Sequence, residues 1–222
     1  MEGTPHACGV DDIVAASPNK PRLPCDLTPG PSPVPRLGQF SQALLGQFWI
    51  APGHSGEQLN RAAETILRCL TSGKKILVCG NGGSASDATH LATEFLCRFK
   101  DDRRPYPAIS LTANGEFMTA VCNDYHGDEI FARQVWGLAE KGDVLIVITT
   151  SGKSKNIVRA LEEAKRKGIE SVALLGRDGG FTKNIATIDL IVPGTATARI
   201  QEGQKVLIHA LCEMVDEKLP KA

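Results

Sequence analysis

The sequence predicts an α/β protein: a doubly wound, flavodoxin-like parallel sheet of five strands flanked by helices. Three observations carry this expectation. Five short apolar runs, at residues 75–79, 108–111, 143–149, 171–175 and 188–192, have the length and composition of strands buried on both faces. Stretches with helical spacing separate them, as parallel strands joined by crossovers require. Loops rich in glycine and hydroxyl residues directly follow the first and third runs, where open α/β sheets bind ligands.

Residues 1–36 hold Pro18, Pro21, Pro24, Pro29, Pro31, Pro33 and Pro35 without sustained periodicity, and read as a flexible proline-rich extension. The folded domain is expected over 37–222, with N-terminal helices at 37–72, an α/β core at 73–193 and a C-terminal helix at 198–219. In the first helix Phe40, Leu44, Leu45 and Phe48 recur at helical spacing until Pro52-Gly53 breaks the run. A second helix over 55–71 puts Leu59, Ala62, Ala63, Ile66, Leu67 and Leu70 on one face, and Ser72-Gly73 ends it. Further helices are expected at 84–99, 129–139 and 154–166.

Composition narrows the function classes. Lys+Arg and Asp+Glu both number 25, so the formal net charge is zero and leaves no electrostatic footprint for nucleic acid or an anionic membrane. No apolar run approaches the ~20 residues of a membrane-spanning helix. The first residues lack the basic and apolar regions of a secretory signal, and the seven cysteines fall singly, without a CxxC pair. Together these predict reduced thiols in a cytoplasmic protein.

The loop after the first strand reads Cys79-Gly80-Asn81-Gly82-Gly83-Ser84-Ala85-Ser86-Asp87. Its glycines permit tight turns and close backbone approach to a ligand. Ser84 stands where a helix begins, with free N–H groups behind it. The loop after the third strand, Thr149-Thr150-Ser151-Gly152-Lys153-Ser154, combines hydroxyls with the amides of another helix N-terminus. That is the chemistry of a phosphate cradle. Helix caps and tight turns would account for one such loop; two at equivalent ends of parallel strands argue for a ligand. Neither is a dinucleotide fingerprint or a Walker loop.

The helix after the first loop carries His90 and Glu94, four residues apart and so on one face. The last helix carries Gln201 and His209, two turns apart. A lone histidine on an amphipathic helix is usually a satisfied polar group. A His, Glu, Gln, His set, however, offers nitrogen and oxygen ligands suited to Zn²⁺. Spacing alone does not bring the two helices together.

Taken in order, CGNGGSASDATHLATEF, YPAISLT, CND at 122–124, TTSGKSKNI, LLGRDGG and ARIQE before a final helix resemble the phosphoheptose isomerases of the sugar isomerase (SIS) domain family, over residues 37–219. The resemblance implies the SIS fold and a homotetramer with active sites between subunits. It implies conversion of sedoheptulose 7-phosphate to D-glycero-D-manno-heptose 7-phosphate through an enediol, the first step toward activated heptoses of bacterial surface glycans such as lipopolysaccharide. Glu94 matches the family's catalytic base and His209 its catalytic acid. His90, Glu94, Gln201 and His209 match its zinc ligands. Asn81, Gly82, Gly83, Ser84, Glu94, Arg98, Asn123, Asp124, Thr149, Thr150, Ser151, Ser154 and Gln201 match its substrate contacts. Three positions depart from the family pattern. Thr149 stands where some members have serine, Ala198 where some have aspartate, and Gly203-Gln204 follows RIQE where the second position is commonly histidine.

Two non-catalytic readings compete. A relative of these isomerases binds the replication initiator and shares the ARIQE segment, but it lacks a histidine at the position of His209. A sugar-phosphate-sensing module is the other, weakened by the absence of a fused effector domain. Among enzymes, a hexulose phosphate or N-acetylmuramate phosphate substrate is the neighbouring option, and the His/Glu/Gln/His set favours the heptose.

Overall fold

In the computed structural model, residues 56–220 are described. The expected proline-rich extension and the expected helix at Phe40–Phe48 lie outside them. The elements run α1 (Gly56–Thr71), β1 (Ile76–Gly80), α2 (Gly83–Leu96), β2 (Ala108–Ser110), α3 (Gly115–Asp124), α4 (Ala132–Leu138), β3 (Val144–Thr149), α5 (Lys155–Lys167), β4 (Glu170–Gly176), β5 (Ile188–Val192) and α6 (Thr197–Asp216). Single 3-10 turns at Gly127–Glu129 and Gly180–Thr182 complete the order.

The five strands form one parallel sheet in the order β2-β1-β3-β4-β5. That is the flavodoxin-like order, with the chain reversing its direction of winding between β1 and β3. The apolar runs became central strands because both their faces are covered. Every residue of β1 and β3 is buried. Alternate residues serve opposite layers, as a period of two demands. Ile76, Val78, Val144, Ile146 and Ile148 pack toward α1, α2 and α6. Leu77, Cys79, Leu145 and Val147 pack toward α3, α4 and α5.

The helices obey the same logic. α1 buries Leu59, Ala62, Ala63, Ile66 and Leu70 of the face its spacing predicts, while Leu67 stays half-buried and Cys69 joins the core instead. α5 buries Ile157, Ala160, Leu161 and Ala164, and ends on Gly168 in the left-handed region. α3 is an addition to the sequence reading. It buries only Val121, so no apolar stripe announces it, and it starts because the Asn114 side chain accepts from Phe117 N. The expected helix at 129–139 is shorter, Ala132–Leu138, because a 3-10 turn precedes it.

Candidate functional site

Most of the candidate residues gather at the carboxyl edge of β1 and β3 and in the groove between α2 and α6; Arg98, Asn123 and Asp124 lie apart from that groove. The β1 loop is shaped by its glycines. A Cβ at Gly80 would lie 2.4 Å from the Ser84 carbonyl oxygen, so the turn into α2 admits no side chain there. Gly82 takes φ +56° and Gly83 meets the Gln201 side chain: a Cβ there would sit 2.2 Å from its Nε2. The first loop and α6 therefore touch directly, which brings Gln201 over the start of α2.

Across the switch point, Asn81 and Asn156 exchange two amide hydrogen bonds, each 2.9 Å. Asn156, in the first turn of α5, was not singled out by sequence reasoning; only its place in KSKN, directly behind Ser154, pointed to it. The pair ties the β1 loop to the β3 loop. In the β3 loop Thr149 is buried and its Oγ1 accepts from Gly152 N at 3.2 Å, so this hydroxyl shapes the loop from within. Ser151 Oγ accepts from Lys153 N at 3.1 Å. Ser154 is the N-cap of α5, yet its side chain makes no capping bond. Its hydroxyl and the half-buried Thr150 stay available beside the free amides of the helix N-terminus.

Gly152 takes φ +61°, and the Gly179–Gly180 turn after β4 packs against it: a Cβ on Gly152 would lie 2.0 Å from Gly179 O. Thr182 closes the same contact, donating to Gly152 O from both Oγ1 at 2.8 Å and N at 3.1 Å.

Along the α2/α6 groove three contacts follow one another. Gln201 meets Gly83, Lys205 pairs with the buried Asp87 at 2.5 Å, and His90 meets His209. Gly83, Asp87, Ala198, Gln201, Glu202 and Lys205 line a groove of about 430 Å³. Ala198 contributes no carboxylate to this groove, whose acidic groups are Asp87 and Glu202. A groove of similar volume, about 440 Å³, lies between α4 and α5 beside Trp136, in the opposite helix layer.

His90 Nε2 lies 2.9 Å from His209 Nε2 and 3.2 Å from Glu94 Oε1. One donor atom from each of His90, Glu94 and His209 falls within 4.8 Å of the others. Two ring nitrogens face each other only across a shared proton or a cation. A half-buried pair of imidazoles with a carboxylate is a nitrogen–oxygen donor set, and it fits a zinc ion. Burial, and then the neighbouring His90, push the His209 imidazole below its ordinary 6.5. The proton-free nitrogen this favours is the form that binds metal.

The C-terminal turn of α2 is held by a residue the sequence reading passed over. Arg103 is buried; its Nη2 donates to Glu94 O at 2.8 Å and its Nη1 to Phe95 O at 2.9 Å, while Nε pairs with Asp216 of α6. One guanidinium thus joins the ends of the two helices that carry Glu94 and His209. Its isolated position in a loop gave no periodic signal. Arg98 is exposed, with Nη1 on Lys100 O at 3.4 Å. Asn123 and Asp124 end α3 as an exposed pair, Nδ2 to Oδ1 at 2.7 Å.

A model of the SIS domain matches residues 53–176. The phosphoheptose isomerase of a Nitratiruptor species is 50% identical over 156 residues, covering 70% of this chain and 83% of that protein. Among solved structures, a phosphoheptose isomerase from Francisella tularensis is 39% identical with a TM-score of 0.73, over 81% of this chain and 94% of that one. The Neisseria gonorrhoeae phosphoheptose isomerase is 39% identical with a TM-score of 0.68, over 82% and 91%.

Proposed function

The chain belongs to the SIS-domain family, among its phosphoheptose isomerases, and from that premise we propose how its residues carry the reaction. It is an aldose–ketose isomerase acting on sedoheptulose 7-phosphate. The ketose and D-glycero-D-manno-heptose 7-phosphate differ by a proton moved between adjacent carbons, through an enediol.

Glu94 takes the proton from carbon, and His209 serves the sugar oxygens as acid when protonated, its lowered pKa making that form a ready donor. The observation supporting these roles is the convergence of Glu94 Oε1 and His209 Nε2 on His90 Nε2, all within 4.8 Å. A carboxylate 18% exposed is screened little by water, which favours proton transfer over hydration of the base. Thr150, Ser151, Ser154 and the amides at the start of α5 hold the phosphate. Thr149 keeps their loop in shape, and Asn81, Gly82, Gly83 and Ser84 form the opposite wall. Binding the remote phosphate fixes the reacting carbons near the carboxylate. Asn123, Asp124 and Arg98 complete the substrate contacts, each at an exposed edge of the fold.

His90, Glu94 and His209 would hold one zinc ion per subunit, with Gln201, whose side chain lies against Gly83 in this structure, the fourth ligand that the family pattern implies. Bound there, zinc would polarise the substrate carbonyl and stabilise developing negative charge. A homotetramer with active sites between subunits, a cytoplasmic location and a supply of activated heptose to surface glycans such as lipopolysaccharide complete the reading. We assign residues 1–36 to an extension and 37–222 to the SIS domain.

The test is incubation of the zinc-supplemented protein with sedoheptulose 7-phosphate, followed by NMR of the sugars. Appearance of the aldoheptose 7-phosphate supports the reading. Phosphate binding without conversion would overturn it in favour of a sensing module.

A further inference from the structure

Gly203 and Gln204 depart from the family pattern on the helix that carries Gln201 and His209, and both have a structural consequence. A Cβ on Gly203 would lie 2.7 Å from Val192 Cγ1, so its absence seats α6 closely on β5. Gln204 is then wholly buried, and its Nε2 reaches the carboxyl ends of two adjacent strands. It donates to Thr149 O at 3.2 Å on β3 and to Leu174 O at 3.0 Å on β4. Its Oε1 is buried with no hydrogen-bond partner among the described residues. A buried amide left half-satisfied costs stability, so what its two donors hold in place must offset that cost.

What they hold is the base of the β3 loop. Thr149 is the last residue of β3, and its hydroxyl is bonded to Gly152 N. On the far side, Thr182 fixes Gly152 O. Gly176 ends β4 and gives the loop room, since a Cβ there would lie 2.2 Å from Thr150 O. Only Gln204 links this loop to the site's other helix, α6, through a side-chain hydrogen bond among those found in the described residues.

We propose that Gln204 is a positioning residue of the isomerase, locking the phosphate-binding loop after β3 to the helix that carries Gln201 and His209. It acts on substrate through the loop, so its loss weakens phosphate binding more than it slows the chemical step. The proposal rests on the reading that this loop holds the phosphate.

The experiment compares the full-length protein with Gln204→Met, which keeps the shape and removes both donors, and with Gln204→His, which restores a ring N–H able to reach one carbonyl. Ser151→Ala reports separately on the loop itself. The readouts are KM and kcat for sedoheptulose 7-phosphate, the Kd of inorganic phosphate by calorimetry, and Tm. Losing two buried donors should raise KM and phosphate Kd about tenfold, with kcat changed by no more than about twofold. Gln204→His should fall between Gln204→Met and wild type. If Gln204→Met does not fold, an intermediate rise in KM and Kd for Gln204→His still supports the proposal. Wild-type KM and Kd in any folded Gln204 variant, with Ser151→Ala weakening phosphate binding, would overturn the positioning role alone. An unchanged phosphate Kd in both Ser151→Ala and the Gln204 variants would overturn the phosphate-loop reading and the positioning role together.

Discussion

His90 Nε2 and His209 Nε2 stand 2.9 Å apart although 119 residues separate them in the chain, and Glu94 Oε1 lies 3.2 Å from the same His90 nitrogen. Two helices meet here through their functional side chains. Glu94→Gln keeps shape and removes the proposed base; His209→Ala removes the proposed acid. Each should lower kcat by about 10²–10⁴-fold while circular dichroism stays that of the wild type. Wild-type rates in either variant would remove the acid–base assignment. Chelation should lower turnover and zinc should restore it; indifference to both would remove the metal and leave the isomerase.

The depressed His209 predicts an acid-sensitive stability in the metal-free protein. Its folded pKa lies below the ordinary 6.5, so the unfolded chain takes up the proton first as pH falls. Stability is therefore retained above about 6.5 and declines below it, down to the folded pKa. Urea unfolding between pH 8 and pH 5 should show this decline, and His209→Gln should flatten it. An unchanged slope in that variant would assign the acid sensitivity elsewhere.

Arg103 and Asp216 form a buried ion pair that also grips Glu94 O and Phe95 O. Arg103→Met leaves Asp216 buried and uncompensated, at a cost of about 3–5 kcal/mol. Arg103→Met with Asp216→Leu should recover much of that loss, because an apolar pair avoids the desolvation penalty. The remaining deficit reports the two α2 carbonyls. Equal denaturation midpoints for wild type and Arg103→Met would show the pair to be dispensable.

Gly152 and Gly73 offer a matched comparison. Both have positive φ, +61° and +71°. A Cβ on Gly73 meets nothing within 4 Å, so Gly73→Ala should cost only the left-handed backbone penalty, about 1–2 kcal/mol, and leave KM unchanged. A Cβ on Gly152 would lie 2.0 Å from backbone at Gly179, which forces the β3 loop to move. Gly152→Ala should therefore raise KM for the sugar phosphate as well as lower Tm. A KM equal to that of Gly73→Ala would uncouple the loop's shape from binding.

Much of this architecture was legible beforehand. Parallel strands buried on both faces leave continuous apolar runs, and 143–149 and 171–175 stand out for that reason. Amphipathic helices such as α1 and α5 announce themselves by period. α3 did not, because a helix that buries one residue and depends on an Asn114 cap leaves no stripe in the sequence. Arg103 and Asn156 escaped for a related reason: an isolated polar residue in a loop or at a helix start is locally indistinguishable from a solvated one.

By itself the sequence determined the sheet, its flanking helices, the two glycine- and hydroxyl-rich loops and the list of chemically competent side chains, because periodicity and turn chemistry are local properties of the chain. Only the tertiary structure decided which of those side chains meet. The 2-1-3-4-5 strand order sets the β1 and β3 loops side by side, so that Asn81 reaches Asn156. The packing of α6 on α2 brings His209 to His90 and Gln201 to Gly83. Such contacts depend on how whole elements bury their apolar faces against one another, and spacing along one helix carries no information about the face of another.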